Sequence, residues 1–242
     1  ASGDSVGYTG INGRAASTMA VQGNRLLIGF ERINRFQTDG NTGGLNIKGP
    51  EIGIPRKKSG GDTNKSIVGP ASSAFSPDGK TVYFTGYLWH YGYSGFGQSG
   101  NFPVVMKMNY ETDDAPVVFA GKIKQEEFGP EPDKLNTPSS LDTDTNGNVY
   151  VSDFWNNRIQ VFAPTGQLLK SIETPKPAKV AIHKLTNEIY VFSYGLVGVP
   201  PSLQTVEWSD FNKFPKTIST FSAYPECKKL TSEEFPIGGI RV

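Results

Sequence analysis

An all-β chain of short antiparallel strands is the fold class that the sequence predicts, on three observations. Between Leu135 and Ile172 lie four runs of alternating β-branched and aliphatic residues, separated by polar turns. A strand–turn–strand wording then recurs around Leu26, Val82, Val149 and Ile189, at spacings of 56, 67 and 40 residues. Glycine (28) and proline (17) are frequent, as many turns require, and no segment sustains a 3.6-residue apolar period. Four strands in about forty residues is the length of one propeller blade. The expected architecture is therefore a β-propeller of four-stranded antiparallel blades, with about four blades visible, as part of a six- or seven-bladed ring.

The clearest unit is 135–172, LNTPSSLDTDTNGNVYVSDFWNNRIQVFAPTGQLLKSI. SSLDTDT is its first strand, NVYVSD the second, RIQVFAP the third and QLLKSI the fourth. Asn146-Gly147 is a hairpin signal, Phe154–Asn157 a second turn and Thr165-Gly166 a third. Pro138, the run from Gly147 to Asp153, Asn157-Arg158-Ile159-Gln160-Val161-Phe162 and Gly166 together resemble the NHL repeat, a blade family. The resemblance covers this one blade. It implies that Asp153 and Arg158 serve blade-to-blade packing.

The remaining elements follow in order. Residues 1–14 read as a Gly/Ser-rich arm, and 15–242 as a single propeller domain. The first blade, approximately 15–55, holds strands at Ser17–Val21, Arg25–Phe30 and Ile33–Gln37, with a fourth within Leu45–Ile54. The second, 66–121, holds Ala71–Phe75, Thr81–Gly86, Val104–Asn109 and Pro116–Ala120; its Ser76-Pro77-Asp78-Gly79 is a type I turn. The fourth, 177–222, holds Lys179–His183, Asn187–Phe192, Gln204–Trp208 and Lys216–Phe221. Residues 233–242, containing FPIGGIRV, read as the start of a further blade.

Charge and composition exclude several classes of function. Lys+Arg 24 against Asp+Glu 23 gives a net charge of +1, so no strong field favours nucleic acid or an anionic membrane. No apolar run approaches the ~18 residues of a membrane span. One cysteine, Cys227, excludes an internal disulfide framework and any Cys-x-x-Cys site. The opening Ala1-Ser2 fits a mature secreted or periplasmic protein.

In a propeller the connections between second and third strands emerge on the same face as those between blades. Here they are unequal. The second blade carries Tyr87–Pro103 (YLWHYGYSGFGQSGNFP), in which Trp89, His90, Tyr91, Tyr93 and Phe96 stand among glycines. The third carries Trp155, and the fourth carries Tyr194 at the head of YGLVGVPPSL. Aromatic residues on loops of a rigid scaffold are suited to recognition. The glycines argue against a strand in the Tyr87–Pro103 insertion, so its rings either meet a partner or fold back over their own blade.

Catalytic chemistry is poorly supplied. His90 and His183 are the only histidines, too few for a three-histidine zinc site, and His183 at a strand–turn junction reads as structural. Asp142-Thr-Asp144-Thr-Asn146-Gly147 imitates a calcium loop, but an extended Val149–Ser152 would carry Asp153 too far away to close it. Lys228 and Lys229 are placed to lower the Cys227 pKa, yet no partner base is visible. The expected function is a non-catalytic, cofactor-free scaffold that binds a partner protein or polymer, as a subunit of a larger extracytoplasmic complex. The alternative is a metal-dependent hydrolase or lyase, because NHL-like propellers resemble gluconolactonase-type and amidating-lyase-type enzymes. Ligands there sit at the tops of inner strands, where this chain has Ser17/Thr18, Ser72/Ser73, Ser139/Ser140 and Lys179, a poor set for Ca²⁺ or Zn²⁺.

Overall fold

A computed structural model describes residues 18–30, 32–45, 65–91, 99–195 and 213–235. Its strands are β1 (Thr18–Gln22), β2 (Arg25–Phe30), β3 (Arg32–Gln37), β4 (Lys65–Val68), β5 (Ser72–Phe75), β6 (Thr81–Thr85), β7 (Leu88–Tyr91), β8 (Ser99–Asn101) and β9 (Val104–Asn109). They continue with β10 (Val117–Gly121), β11 (Pro138–Thr143), β12 (Val149–Asp153), β13 (Arg158–Phe162), β14 (Leu168–Glu173), β15 (Pro177–Ile182), β16 (Ile189–Ser193), β17 (Thr217–Phe221) and β18 (Lys229–Glu234). No α-helix occurs among the described residues.

Four antiparallel sheets follow one another along the chain: β1–β2–β3, β5–β6–β9–β10, β11–β12–β13–β14 and β15–β16–β17–β18. Each is a meander from an inner to an outer strand, and the inner strands β1, β5, β11 and β15 lie side by side in that order. This is propeller architecture, with four blades in an arc.

Packing explains why the second strands of the two central blades, β6 and β12, are buried almost throughout instead of alternating with exposed residues. A sheet sandwiched between two others is buried on both faces, so successive side chains enter different cores. In β6, Val82 and Phe84 join Leu27 and Ile33 of the first blade, while Tyr83 joins Leu141 and Val149 of the third. In β12, Val149 and Val151 face the second blade, whereas Tyr150 meets Val180, Ile189 and Val191 of the fourth. The expected burial of Val149, Val151 and Ile159 between blades is observed; all three are fully enclosed.

Polar groups stitch the same interfaces. Thr18 and Ser73 share a hydroxyl hydrogen bond of 2.8 Å between β1 and β5. Thr143 donates to the Phe75 carbonyl at 2.7 Å, and the Asp142 carboxylate accepts from the Ile182 amide at 2.7 Å. Arg35, wholly enclosed, donates to the Tyr110 carbonyl at 2.8 Å and pairs with Asp113.

Two expectations require correction. Leu88–Tyr91 and Ser99–Asn101 are strands, and with β4 they form a fifth sheet in the order β4–β7–β8. β7, at the start of the glycine-rich insertion, pairs with β4, a partner distant in the chain that leaves no local signal. In the fourth blade, Thr217–Phe221 pairs with β16 as the third strand, and Lys229–Glu234 is the outer one. By sequence Lys216–Phe221 reads as the outer strand, because KLTSEE is exposed along its whole length and lacks an apolar alternation. Gln204–Trp208, most of Leu45–Ile54, the arm 1–14 and residues 236–242 lie outside the described residues.

Ile159 supplies the simplest test of the blade packing. Ile159→Ala should cost about 2–5 kcal/mol through lost contacts and a residual cavity, read as a lower denaturant midpoint. An unchanged midpoint would mean that the third and fourth blades do not pack through this residue.

Candidate functional site

The turn between β12 and β13, Phe154–Asn157, is where the third blade's second–third connection presents its side chains. Its backbone is closed by Asn156 N–H to the Asp153 carbonyl (3.1 Å) and Asn157 N–H to the Phe154 carbonyl (3.3 Å). Asn157 sits in the left-handed region at φ 53°, which asparagine tolerates better than most residues. The preceding connection is bonded to the same turn. Phe154 and Trp155 donate their amides to the Thr137 and Asn136 carbonyls, at 3.3 and 3.1 Å.

A buried ion pair fixes this arrangement. The Asp153 carboxylate is fully enclosed and accepts from the Asn136 amide (2.6 Å), Asn156 Nδ2 (2.8 Å) and Arg158 Nε (2.7 Å). The rest of the Arg158 guanidinium donates to the carbonyls of Pro130, Glu131 and Lys134 at 2.8, 3.2 and 3.0 Å. Burial lifts the Asp153 carboxyl above the usual carboxylate range, and those same donors pull it back. Asp153 and Arg158 thus clamp residues 130–136, the connection that joins the second and third blades, onto the 154–157 turn.

Trp155 stands on top of this clamp. Phe154 is buried beneath it, the two rings meeting edge to face at 5.1 Å. Phe214, from the connection between β16 and β17, lies 6.1 Å from both rings. Lys176, from the connection between β14 and β15, places Nζ 4.4 Å from the Trp155 ring and 5.7 Å from that of Phe154. Three connections of one face, from two blades, meet in this half-buried aromatic and cationic patch. Tyr194 follows β16 directly and is half-buried, which pushes its phenol pKa up; it makes no ring contact with the patch among the described residues. Trp89, His90 and Tyr91 lie on β7, with side chains outside the described part of the structure, as do Tyr93 and Phe96 entirely.

Phe154, Phe214 and Lys176 were missed by sequence reasoning. Phe154 adjoins Trp155 and was legible as a pair. Phe214 comes from a connection whose outer strand was misplaced by one position. Lys176 carries no sequence signal beyond its place between Pro175 and Pro177.

The other candidate chemistries are absorbed by the fold. The Asp144 carboxylate accepts from the Asn146 amide, the Asn148 amide and Nδ2, and Tyr150 Oη, all within 2.8–3.0 Å. It closes the hairpin turn, while Asp153 is paired at the far end of β12, so the calcium-loop wording describes a turn. His183 Nδ1 accepts from the Thr186 amide at 3.1 Å within its own turn. Burial pushes the Cys227 thiol up, contrary to the expectation from Lys228 and Lys229. The inner-strand serines are engaged between blades: Ser72 Oγ accepts from the Leu141 amide, Ser139 Oγ donates to the Ala178 carbonyl, and Ser140 Oγ accepts from the Val180 amide. Among the described residues no group of three His, Cys, Asp or Glu is placed to hold a metal ion.

This geometry defines an all-β propeller whose third blade carries the Asp–Arg clamp. Residues 135–162 match the NHL repeat. No curated protein matches the chain in sequence. Among solved structures it resembles the hydrazine synthase of Kuenenia stuttgartiensis, with a TM-score of 0.53 and 14% identity over 95% of this chain and 53% of that one. A streptogramin B lyase gives a TM-score of 0.49 and 11% identity over 93% and 57%. An auxiliary nutrient binding protein from Bacteroides ovatus gives 0.45 and 14% over 74% and 45%. The chain therefore spans about half the length of these structures, and at such identities the likeness concerns the fold.

The clamp is testable by a double-mutant cycle. Asp153→Ala should cost about 3–5 kcal/mol, because it strands a largely buried guanidinium, and adding Arg158→Ala should recover part of the loss. Strictly additive losses in urea unfolding would show that the two side chains do not act as a unit.

Proposed function

We propose that this propeller is a non-catalytic scaffold that binds a partner protein or polymer through the face bearing Trp155. The observation that carries the reading is the patch itself. Trp155, Phe214 and Lys176 come from three separate connections and are only half-buried, and the turn that carries Trp155 is fastened by Asp153 and Arg158. Aromatic surface held rigidly on loops offers contact area with little entropy left to lose on binding. The use of the inner-strand serines in blade-to-blade hydrogen bonds supports a scaffold over a metal-dependent hydrolase or lyase. Membership of a larger assembly outside the cytoplasm belongs to the same proposal, and cell fractionation with native gel analysis addresses it.

Site-directed photo-cross-linking tests the binding face. A photoreactive amino acid at position 155 or 194 should capture the same partner in cells, whereas one at Leu185 should not. Leu185 lies in the turn between β15 and β16, on the opposite face, and is 89% exposed. Trp155→Ala should then weaken the captured complex by about 2 kcal/mol or more. Equal capture from positions 155 and 185, or a Trp155→Ala variant that binds normally and only unfolds earlier, would sink the reading.

A further inference from the structure

At the end opposite Trp155, a groove of about 480 Å³ runs between the second and third blades. One wall is a face of the second blade. Tyr83 of β6, Lys107 of β9 and Val117 of β10 stand side by side there, since Lys107 is the cross-strand partner of both others. Thr81 and Asn109 form the next row of the same face. The rest of the lining comes from the turn 145–147 and Pro164 of the third blade, and from Pro77 and Asp78 of the second. Gly147 has φ 84°, and a Cβ there would stand 3.2 Å from Pro164 Cγ, so these two turns approach closely.

Several polar groups that line the groove have no partner. Tyr83 is buried, its ring meeting Phe119 edge to face at 4.8 Å, yet its hydroxyl makes no hydrogen bond among the described residues. Lys107 places Nζ 5.4 Å from the same Phe119 ring and enters no ion pair among the described residues. Asp78 Oδ1 accepts from Ser76 Oγ at 2.6 Å and from the Lys80 amide at 3.0 Å, which leaves Oδ2 unused. Donors and an acceptor thus line one groove unpaired, and Lys107 and Asp78 do not neutralise each other. Val117 adds an apolar side chain that is 55% exposed.

The charges decide what kind of ligand suits these groups. Burial raises the Tyr83 phenol pKa and the Asp78 charge raises it further, so an anion placed at this hydroxyl would meet the Asp78 field. Asp78 is held below the usual carboxylate range by its bonds from Ser76 and Lys80, and the charges of Lys80 and Arg25 act in the same direction. A cation approaching Asp78 would meet those two and Lys107. A wholly apolar ligand would leave the polar groups desolvated and unpaired. What remains is an uncharged ligand rich in hydroxyls, each able to donate and to accept. We propose that the groove binds a neutral saccharide: Tyr83 and Lys107 donate to its oxygens, Asp78 Oδ2 accepts from a hydroxyl, and Val117, Pro77 and Pro164 cover its C–H faces. This site lies on the opposite face from Trp155 and does not depend on the role proposed there.

Isothermal titration of the whole protein with neutral trisaccharides of different linkage (maltotriose, cellotriose, xylotriose and mannotriose) tests the assignment. At least one should bind at millimolar concentration, whereas trigalacturonate and glycine, as anionic and zwitterionic probes, should not. Tyr83→Phe removes only the hydroxyl, so it should melt with the wild type yet bind that sugar about tenfold more weakly. Lys107→Met keeps an unbranched stem beside Phe119 and should weaken binding to a similar extent. The proposal is overturned if no neutral sugar binds, if both variants bind as tightly as the wild type, or if trigalacturonate or glycine binds as tightly as the best neutral sugar. A Tyr83→Phe variant that melts early would show that the hydroxyl already holds a structural bond, which overturns it as well. None of these outcomes alters the capture expected from positions 155 and 194, so the two readings stand or fall separately.

Discussion

Each sheet of this protein has two apolar faces and covers neither by itself, and most of the architecture follows from that constraint. A four-stranded meander such as β11–β14 places Val149 and Val151 on one side and Tyr150 and Ile159 on the other. Neither set is removed from water until the second and fourth blades are in place. The hydrophobic term is thus collected at the interfaces between blades and not within them. The inner strands show the same dependence in polar form, since the Ser72, Ser139 and Thr143 hydroxyls find their partners on a neighbouring strand.

The Asp153–Arg158 pair converts this packing into a defined surface. A buried ion pair is a weak source of net stability, because both charges forfeit their hydration. Its value here lies in where the remaining donors go. Arg158 distributes them over three carbonyls of the preceding connection, and Asp153 takes the Asn136 amide in return. A hydrophobic pair of similar volume would fill the space but make none of these bonds to the backbone. Trp155 inherits its position from that network, and Lys176 inherits its own through Asn157.

The parts of this arrangement legible in the sequence are those written in local periodicity. NVYVSD, RIQVF and the Asn-Gly turn specify their strands by alternation and turn chemistry, and the third blade follows the expected order with its boundaries shifted by a residue or two. Asp153 and Arg158 were readable as packing residues through their resemblance to a repeat. What escaped depends on partners distant in the chain. β7 becomes a strand because Lys65–Val68 pairs with it, and Lys229–Glu234 becomes the outer strand of its blade although nothing in KLTSEE is apolar enough to announce it. The site was half visible for the same reason: Trp155 is a conspicuous residue in a turn, whereas Lys176 and Phe214 matter only because two other connections converge on it.

The two faces of the propeller differ in what they have left to offer a ligand. At the end carrying the first–second turns, polar groups satisfy one another. Ser76 donates to Asp78 at 2.6 Å, Asp144 takes four donors from its own hairpin, and Thr145 and Asn187 bond to each other across blades at 2.7 Å. The 480 Å³ groove between the second and third blades at that end is bordered by these turns, together with Lys107 and Val117. At the opposite end, Asp153 and Arg158 satisfy the backbone from below. Above it the Lys176 ammonium lies 4.4 Å from the Trp155 ring and enters no ion pair among the described residues. The backbone at that face is thus satisfied without the side chains that the proposed binding role would use.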